Sequence, residues 1–406
     1  MTNNITLPDY QRSFVWSEKD IKRLLRSIDE GQFIQPVTIA LYPDFTKKTN
    51  LILDGQQRLT SILLAYIGYI PDLSKFAKDD MLATGDDSAI EDNEVSPKAI
   101  KWTFREILDK DSHKNKIEQI RARLATDENY IKLDEDWFNH GDNREQAIVD
   151  YFKSKFLGFS YIVPDTTDMV EIQNGYTSLF RNINYFGKRL TTLGSRRSLY
   201  YTKPDFKNFF EGTDEHGNSV LGGIAIKESM DYNTIDFVRY LSTLSQYKAK
   251  GNSSCILKYY SAYSSRESYF ADYVSYILHL DQEDRNDKFS GFKFNEVFAN
   301  NIWKERYTKL KNTVERMRNE WNLETNNGRF AFTSWIDADY WLYGLIYHVV
   351  FEGKDLNDNI GELYTKVKKA IKSKKDDHAY SRTPNGLTNL RNRIQESINI
   401  YITYVH

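Results

Sequence analysis

Residues 51–67, LILDGQQRLTSILLAYI, change their hydrophobic period in mid-stretch. LILD is a short apolar run of strand character, whereas Leu59, Ile62, Leu63, Tyr66 and Ile67 recur at helical spacing until GYIPD breaks the pattern. A chain that passes from strand to helix within so few residues is committed to an α/β unit at that point. The connection itself, Asp54-Gly55-Gln56-Gln57-Arg58, carries more hydrogen-bonding capacity than a turn requires.

The flanking sequence fits the same unit. WSEKDIKRLLRSIDEGQFI predicts a helix capped by Ser17, with acids in its first turn, Ile21, Leu24, Leu25 and Ile28 on one face and Gly31 as the stop. PVTIALYP predicts a strand ending at Pro43, and the polar DFTKKTN turns the chain into LILD. From about Pro71 to Asn143 the sequence is charged and irregular apart from a helix in HKNKIEQIRARLA, and reads as an insertion or lid. FLGFSYIVPD predicts a further strand. DTTDMVEIQNGYTSLFRNIN predicts a helix capped by Asp165 or Thr166.

Past KPDFKNFFEGTDEHGN the pattern becomes helical and rich in tyrosine. SYFADYVSYILHL, NIWKERYTKLKNTVERMRNEW, SWIDADYWLYGLIYHVVFEG and NIGELYTKVKKAIKSKK predict helices whose aromatic stripes form a core. The expected class is therefore α+β: an α/β domain over residues 1–203, with a helical insertion at about 71–150, then a mainly helical domain over 204–406. With 406 residues and 40% hydrophobic content, the chain is long and apolar enough for more than one core.

A formal charge of −2 provides no global attraction to nucleic acid, so such binding needs local basic patches. Two are visible: Lys19, Lys22, Arg23 and Arg26 on the first helix, and Lys366, Lys368, Lys369, Lys372, Lys374 and Lys375 near the end. Both are expected to be solvated helix surfaces ahead of phosphate contacts. No apolar run approaches membrane-spanning length, the N-terminus lacks a signal-peptide core, and Cys255 is the single cysteine, so a cytoplasmic protein without membrane attachment is expected. The seven histidines are scattered without metal-ligand spacing, and His348 reads as a core or surface residue.

An apolar strand delivering a tight polar turn to a helix N-terminus suits an anion, because the first helical amides lack internal partners and the helix dipole favours negative charge. Gly55 permits a sharp turn or a close backbone approach. Arg58 can pair with a phosphate, Gln56 and Gln57 can donate and accept, and Asp54 can hold a magnesium ion that accompanies phosphates. The same residues can equally brace the loop. The lysine and GKS/GKT ending of a Walker loop are absent.

Three blocks in order, LPDYQRSFVWSEKDIKRLLRSIDEGQFIQPV, LDGQQRLT and SLFRNINYFGKRLT, resemble the N-terminal domain of the GmrSD-type restriction proteins, which in turn resembles the ParB/sulfiredoxin fold. The resemblance implies nucleotide binding or hydrolysis, with magnesium, in bacterial defence against phage or modified DNA. By position it assigns Asp54, Gln56, Gln57 and Arg58 to catalysis. Gln11, Arg12, Gly55, Arg58, Thr60, Asn184 and Gly187 are assigned to nucleotide binding, and Asp54 to magnesium. Trp16, which follows the QR pair, is expected to pack instead of stacking on a base.

Asn182 and Gly194 depart from the arginine and glutamate common in the third block, where Arg181, Lys188, Arg189, Arg196 and Arg197 offer a substitute basic patch. Sulfiredoxin chemistry requires a cysteine beside the motif arginine, and Gln57 stands there. The C-terminal DDHAYSRTPNGLTNLRNRI lacks the second histidine of an HNH nuclease. The expected function is a nucleotide-binding, NTP-hydrolysing component of a restriction-type or anti-phage system that acts on or senses DNA, beside a partner nuclease or with nicking activity of its own. The alternative is a non-catalytic DNA-binding or scaffolding subunit with a structural DGQQR motif.

Overall fold

A computed structural model describes residues 5–6, 14–43, 48–76, 82–83, 100–133, 144–169, 171–172, 175–176, 178–179, 196–197, 199–200, 204–228, 231–254, 256, 266–280, 289–321, 330–358, 360–382 and 386–406. The chain divides into two compact units, residues 1–79 with 94–194, and residues 80–93 with 195–406. It is a mixed α/β protein with small sheets and a mainly helical C-terminal part.

The first unit runs through β1 (Ile5–Thr6), α1 (Glu18–Asp29), β2 (Val37–Pro43), β3 (Lys48–Asp54), α2 (Gln56–Ile67) and β4 (Tyr69–Pro71). After β5 (Leu82–Ala83), which pairs in the second unit, it resumes with α3 (Ile117–Leu124), β6 (Tyr130–Lys132), α4 (Arg144–Lys153) and β7 (Phe159–Ile162). Its main sheet has the order β1-β3-β2-β7. β2 and β3 are antiparallel, with Ile39 opposite Ile52 and a register shift beside Thr38; β1 runs parallel to β3 and β7 parallel to β2.

α1 starts where its sequence says it should: the Ser17 hydroxyl accepts from the Asp20 N–H, and the Asp20 carboxylate accepts from the Ser17 N–H at 3.0 Å. Ile21, Leu24 and Leu25 are buried. Trp16 packs at the edge of the same apolar cluster. That cluster joins α1 and α2 to Ile100, Trp102, Ile107, Ile120, Leu124 and Leu133. Much of the segment read from sequence as an insertion or lid thus shares the core of the unit. β4 and β6 pair antiparallel beside it.

α2 departs from its hydrophobic reading. Its buried side chains are Gln57, Thr60, Ser61, Leu64, Ala65 and Ile67, while Leu63 is exposed and Leu59, Ile62 and Tyr66 are half-buried. Small and hydrogen-bonded polar residues let the helix lie close to its neighbours, so the apolar stripe was not the inward one. Beyond β7, the Glu171 N–H bonds the Asp168 carboxylate at 3.2 Å and the Ile172 N–H bonds the Asp168 carbonyl. Asp168, and not Asp165 or Thr166, caps that helix.

The second unit is built from α5 (Pro204–Glu211), α6 (Phe237–Lys250), α7 (Arg266–Ile277), α8 (Trp303–Glu320), α9 (Trp335–Ile346), α10 (Gly361–Asp376) and α11 (Leu387–Tyr401). A small sheet of order β10-β8-β9-β5 accompanies them, from β8 (Ala225–Glu228), β9 (Asp231–Ile235) and β10 (Ala331–Phe332). The predicted aromatic stripes are core, with Tyr273, Tyr307, Tyr340 and Tyr343 buried; Tyr240, on the unpredicted α6, is buried beside them. α9 continues into a π-helical turn, Tyr347–Phe351, that buries His348 with Nε2 3.0 Å from the Ile398 carbonyl.

At the centre of this unit Asp339 is enclosed. Its carboxylate accepts from Arg239 at 2.5 and 2.9 Å, from Arg393 at 2.9 and 2.7 Å and from the Tyr240 hydroxyl at 3.1 Å. Two guanidiniums against one carboxylate leave a surplus cation. The Trp335 ring, 4.3 Å from the Arg239 guanidinium carbon, offsets part of it.

Candidate functional site

β3 ends at Asp54 and α2 begins at Gln56, so the whole handover rests on Gly55. Gly55 adopts φ 93° and ψ 8°, a left-handed conformation that side chains rarely tolerate. A Cβ there would also lie 2.9 Å from Val37 Cγ2 and 3.2 Å from Arg58 Nη2. The glycine is thus fixed twice, by backbone conformation and by close approach to β2 and the motif arginine.

Arg58 closes the turn. Its Nη2 donates to Asp54 Oδ2 at 2.6 Å, one helical turn back, and its Nη1 donates to the Gln35 carbonyl just before β2. Both partners of the ion pair are largely covered, with 13% and 26% of the side chains exposed. The pair therefore sits partly shielded at the end of the inner strand β3, not in open solvent. No side chain caps α2, and its first turn carries no acid. The nearest acid to the positive end of the helix is Asp54, which precedes the N-cap Gly55 and is engaged by Arg58.

The two glutamines of the motif separate. Gln57 is buried, its Oε1 accepting the Val15 N–H at 3.1 Å, and so holds the chain ahead of α1 against α2. Gln56 is half-exposed beside the turn. Thr60 is buried on the same inward face as Gln57. Of the predicted site residues, the structure brings Asp54, Gly55, Gln56 and Arg58 together at the turn and turns Gln57 and Thr60 into the unit.

Gln11, Arg12, Asn184 and Gly187 lie outside the described residues, as do Arg181, Lys188 and Arg189. The segment holding Gln11 and Arg12 has described residues on both sides of it, Thr6 paired with Leu51 and Val15 bonded to Gln57.

Of the expected basic patch, Arg196 and Arg197 are described, and both are paired with acids. Arg196 is fully buried, 2.6 Å from Asp236 and 3.1 Å from Glu267, and Arg197 binds Glu211 through Nε and Nη2 at 2.9 and 2.8 Å. These arginines neutralise acids inside the second unit. On α10, Lys374 pairs with Glu396 at 3.1 Å and Lys375 with Asp337 at 2.5 Å, while Lys366 lies over the Tyr404 ring. Lys366, Lys368, Lys369, Lys372 and Lys375 are nonetheless exposed and only Lys374 is half-buried, so the cluster is the solvated helix surface expected of it.

Sequence reasoning missed the supports of the turn. Val15 and Gln35 act through backbone atoms, which leave no residue signature, and Val37 could have been found only from the strand register. No group of three or more His, Cys, Asp or Glu side chains able to hold a metal occurs among the described residues. Asp54 is the carboxylate at the turn, and its Oδ2 is engaged by Arg58. No helix among the described residues is long and apolar enough to cross a membrane.

Residues 1–201 match the family described as the GmrSD restriction endonuclease, N-terminal domain. An uncharacterized protein of Methanocaldococcus jannaschii is 32% identical over 111 residues, covering 19% of this chain and 19% of that protein. The chain thus spans less than a fifth of the length of this curated relative. No solved structure matches it.

Proposed function

With residues 1–201 belonging to the GmrSD restriction endonuclease N-terminal domain family, we propose that this restriction- or phage-defence-related protein binds a nucleoside triphosphate with magnesium at the β3–α2 turn and hydrolyses it. The observation that carries the reading is the N-terminus of α2, uncapped by any side chain and flanked by Arg58. The amides of the first turn seat phosphate oxygens, and the guanidinium, whose five donors exceed the two acceptors it meets, adds a charged contact. Magnesium would neutralise charge on the bridging phosphates, with Asp54 its protein ligand. Gln56, the half-exposed glutamine, orients water, whereas Gln57 braces the fold. We assign Gln11, Arg12, Asn184 and Gly187 to the same nucleotide on the strength of the family, and the unit to a ParB/sulfiredoxin-like fold.

In this reading the protein is the nucleotide-handling component of an assembly that acts on DNA, beside a partner nuclease or with its own nicking activity. A second reading, a non-catalytic DNA-binding or scaffolding subunit, is favoured by the fact that Gly55, Gln57 and Arg58 all contact their own chain. Incubation of the full chain with each nucleoside triphosphate and magnesium, with and without DNA, separates the two. Release of inorganic phosphate that disappears in Arg58→Ala supports the enzyme. Nucleotide-independent DNA binding with no phosphate release supports the scaffold.

A further inference from the structure

Residues 32–37 form a strap that leads from α1 into β2. Its ends are fixed. The Gln32 N–H bonds the Ser27 carbonyl at 2.9 Å, the Val37 N–H bonds the Gly158 carbonyl at 2.9 Å, and Pro36 packs on Gly158. Between these ends, among the described residues, Phe33, Ile34 and Gln35 make no backbone-to-backbone hydrogen bond. The middle of the strap is held instead by a side chain of the motif, because Arg58 Nη1 donates to the Gln35 carbonyl. Phe33 and Gln35 are exposed and Ile34 is half-buried, so burial adds little to that hold.

We propose that Arg58 is a latch that couples occupancy of the β3–α2 turn to this strap: the nucleotide-free chain holds Gln35 through Arg58, and binding of a triphosphate with magnesium releases it. The inference rests on the nucleotide reading of the turn. Both terminal nitrogens of the guanidinium are engaged by the chain itself, Nη2 by Asp54 at 2.6 Å and Nη1 by Gln35. The two acceptors differ in kind. Asp54 offers a carboxylate, whereas the Gln35 carbonyl is neutral and the weaker partner. A phosphate that takes the fork of the guanidinium therefore displaces the carbonyl first. In the same reading magnesium takes Asp54 as its ligand, which leaves Arg58 to the phosphate and gives the Gln35 carbonyl no replacement donor. Pro36 has a fixed φ and is anchored on Gly158, so the release is confined to residues 33–35.

The test is hydrogen–deuterium exchange of the full chain, read by mass spectrometry on peptides spanning residues 32–37, residues 56–59 and, as a control in the same unit, the paired strand β6. Without nucleotide, Arg58→Ala speeds exchange in 32–37 about tenfold over the wild type, Asp54→Asn leaves it unchanged, and β6 stays protected in both. Magnesium with each nucleoside triphosphate in turn slows exchange in 56–59 of the wild type and speeds it in 32–37. This wild-type response decides the matter should Arg58→Ala fail to fold. A folded Arg58→Ala whose strap exchanges as slowly as the wild type overturns the latch whatever the nucleotide does. Slowing at 56–59 with an unchanged or slowed strap overturns it while the nucleotide reading stands, and no slowing at 56–59 with any triphosphate removes both.

Discussion

Arg58 Nη2 stands 2.6 Å from Asp54 Oδ2, tying the first turn of α2 to the last residue of β3. The two residues expected to receive phosphate and magnesium thus meet each other across Gly55. In the proposed function, an incoming phosphate would share or replace that contact. Charge-assisted bonds of this kind, partly shielded from water, are stronger than exposed ones.

Gly55→Ala is expected to destabilise the first unit by about 1 to 3 kcal/mol, since it combines a left-handed φ with a Cβ pressed on Val37. Chemical denaturation followed by circular dichroism measures this. An alanine variant as stable as the wild type would show that the turn relaxes freely.

Gln57→Leu should cost about 1 to 3 kcal/mol by leaving the Val15 N–H without its acceptor, even though leucine is the more apolar residue. Gln56→Leu, at a half-exposed position, should leave stability unchanged and lower nucleotide turnover. The contrast separates the bracing glutamine from the reacting one.

Asp339→Ala should destabilise the second unit by roughly 3 to 5 kcal/mol, because Arg239 and Arg393 would keep buried charge without a counter-ion. Burial works to raise the Asp339 pKa, but the two guanidiniums overcome it and hold the carboxyl below its usual value. Its stabilisation is present above the unfolded carboxylate range and lost as pH falls through the folded value.

His348 supplies a second pH response at higher pH. Burial lowers its pKa below 6.5, with the bond to the Ile398 carbonyl opposing this. The unfolded chain therefore takes up the proton first, and stability present above about pH 6.5 declines as the solution is acidified through the folded value. Melting curves between pH 5 and 8 should show this slope in the wild type and a smaller one in His348→Leu.

Much of this molecule was legible in its residues, and each exception has its own physical cause. Capping chemistry announced α1 through Ser17 and Asp20, and the change of period at Gly55 announced the β3–α2 handover. The aromatic helices of the second unit were equally plain. α6 was not, because its residues from Phe237 to Tyr247 are buried on every side and so lack a polar face to give periodicity. The inward face of α2 was hidden for the opposite reason: Gln57, Thr60 and Ser61 score as polar, and only tertiary contacts bury them. Arg196 and Arg197 read as a patch because sequence shows a cation but not the acid that will meet it across the fold.

The central claim is that the β3–α2 turn binds a nucleoside triphosphate through the α2 N-terminus and Arg58. Isothermal titration of the full chain with each nucleoside triphosphate and magnesium, using wild type and Arg58→Lys, tests it most directly. Lysine keeps the charge but loses the forked geometry, so the account predicts saturable binding by the wild type and about tenfold or weaker binding by the variant while it remains folded by circular dichroism. Wild-type protein that binds no nucleotide, or a lysine variant that binds equally well, would contradict it.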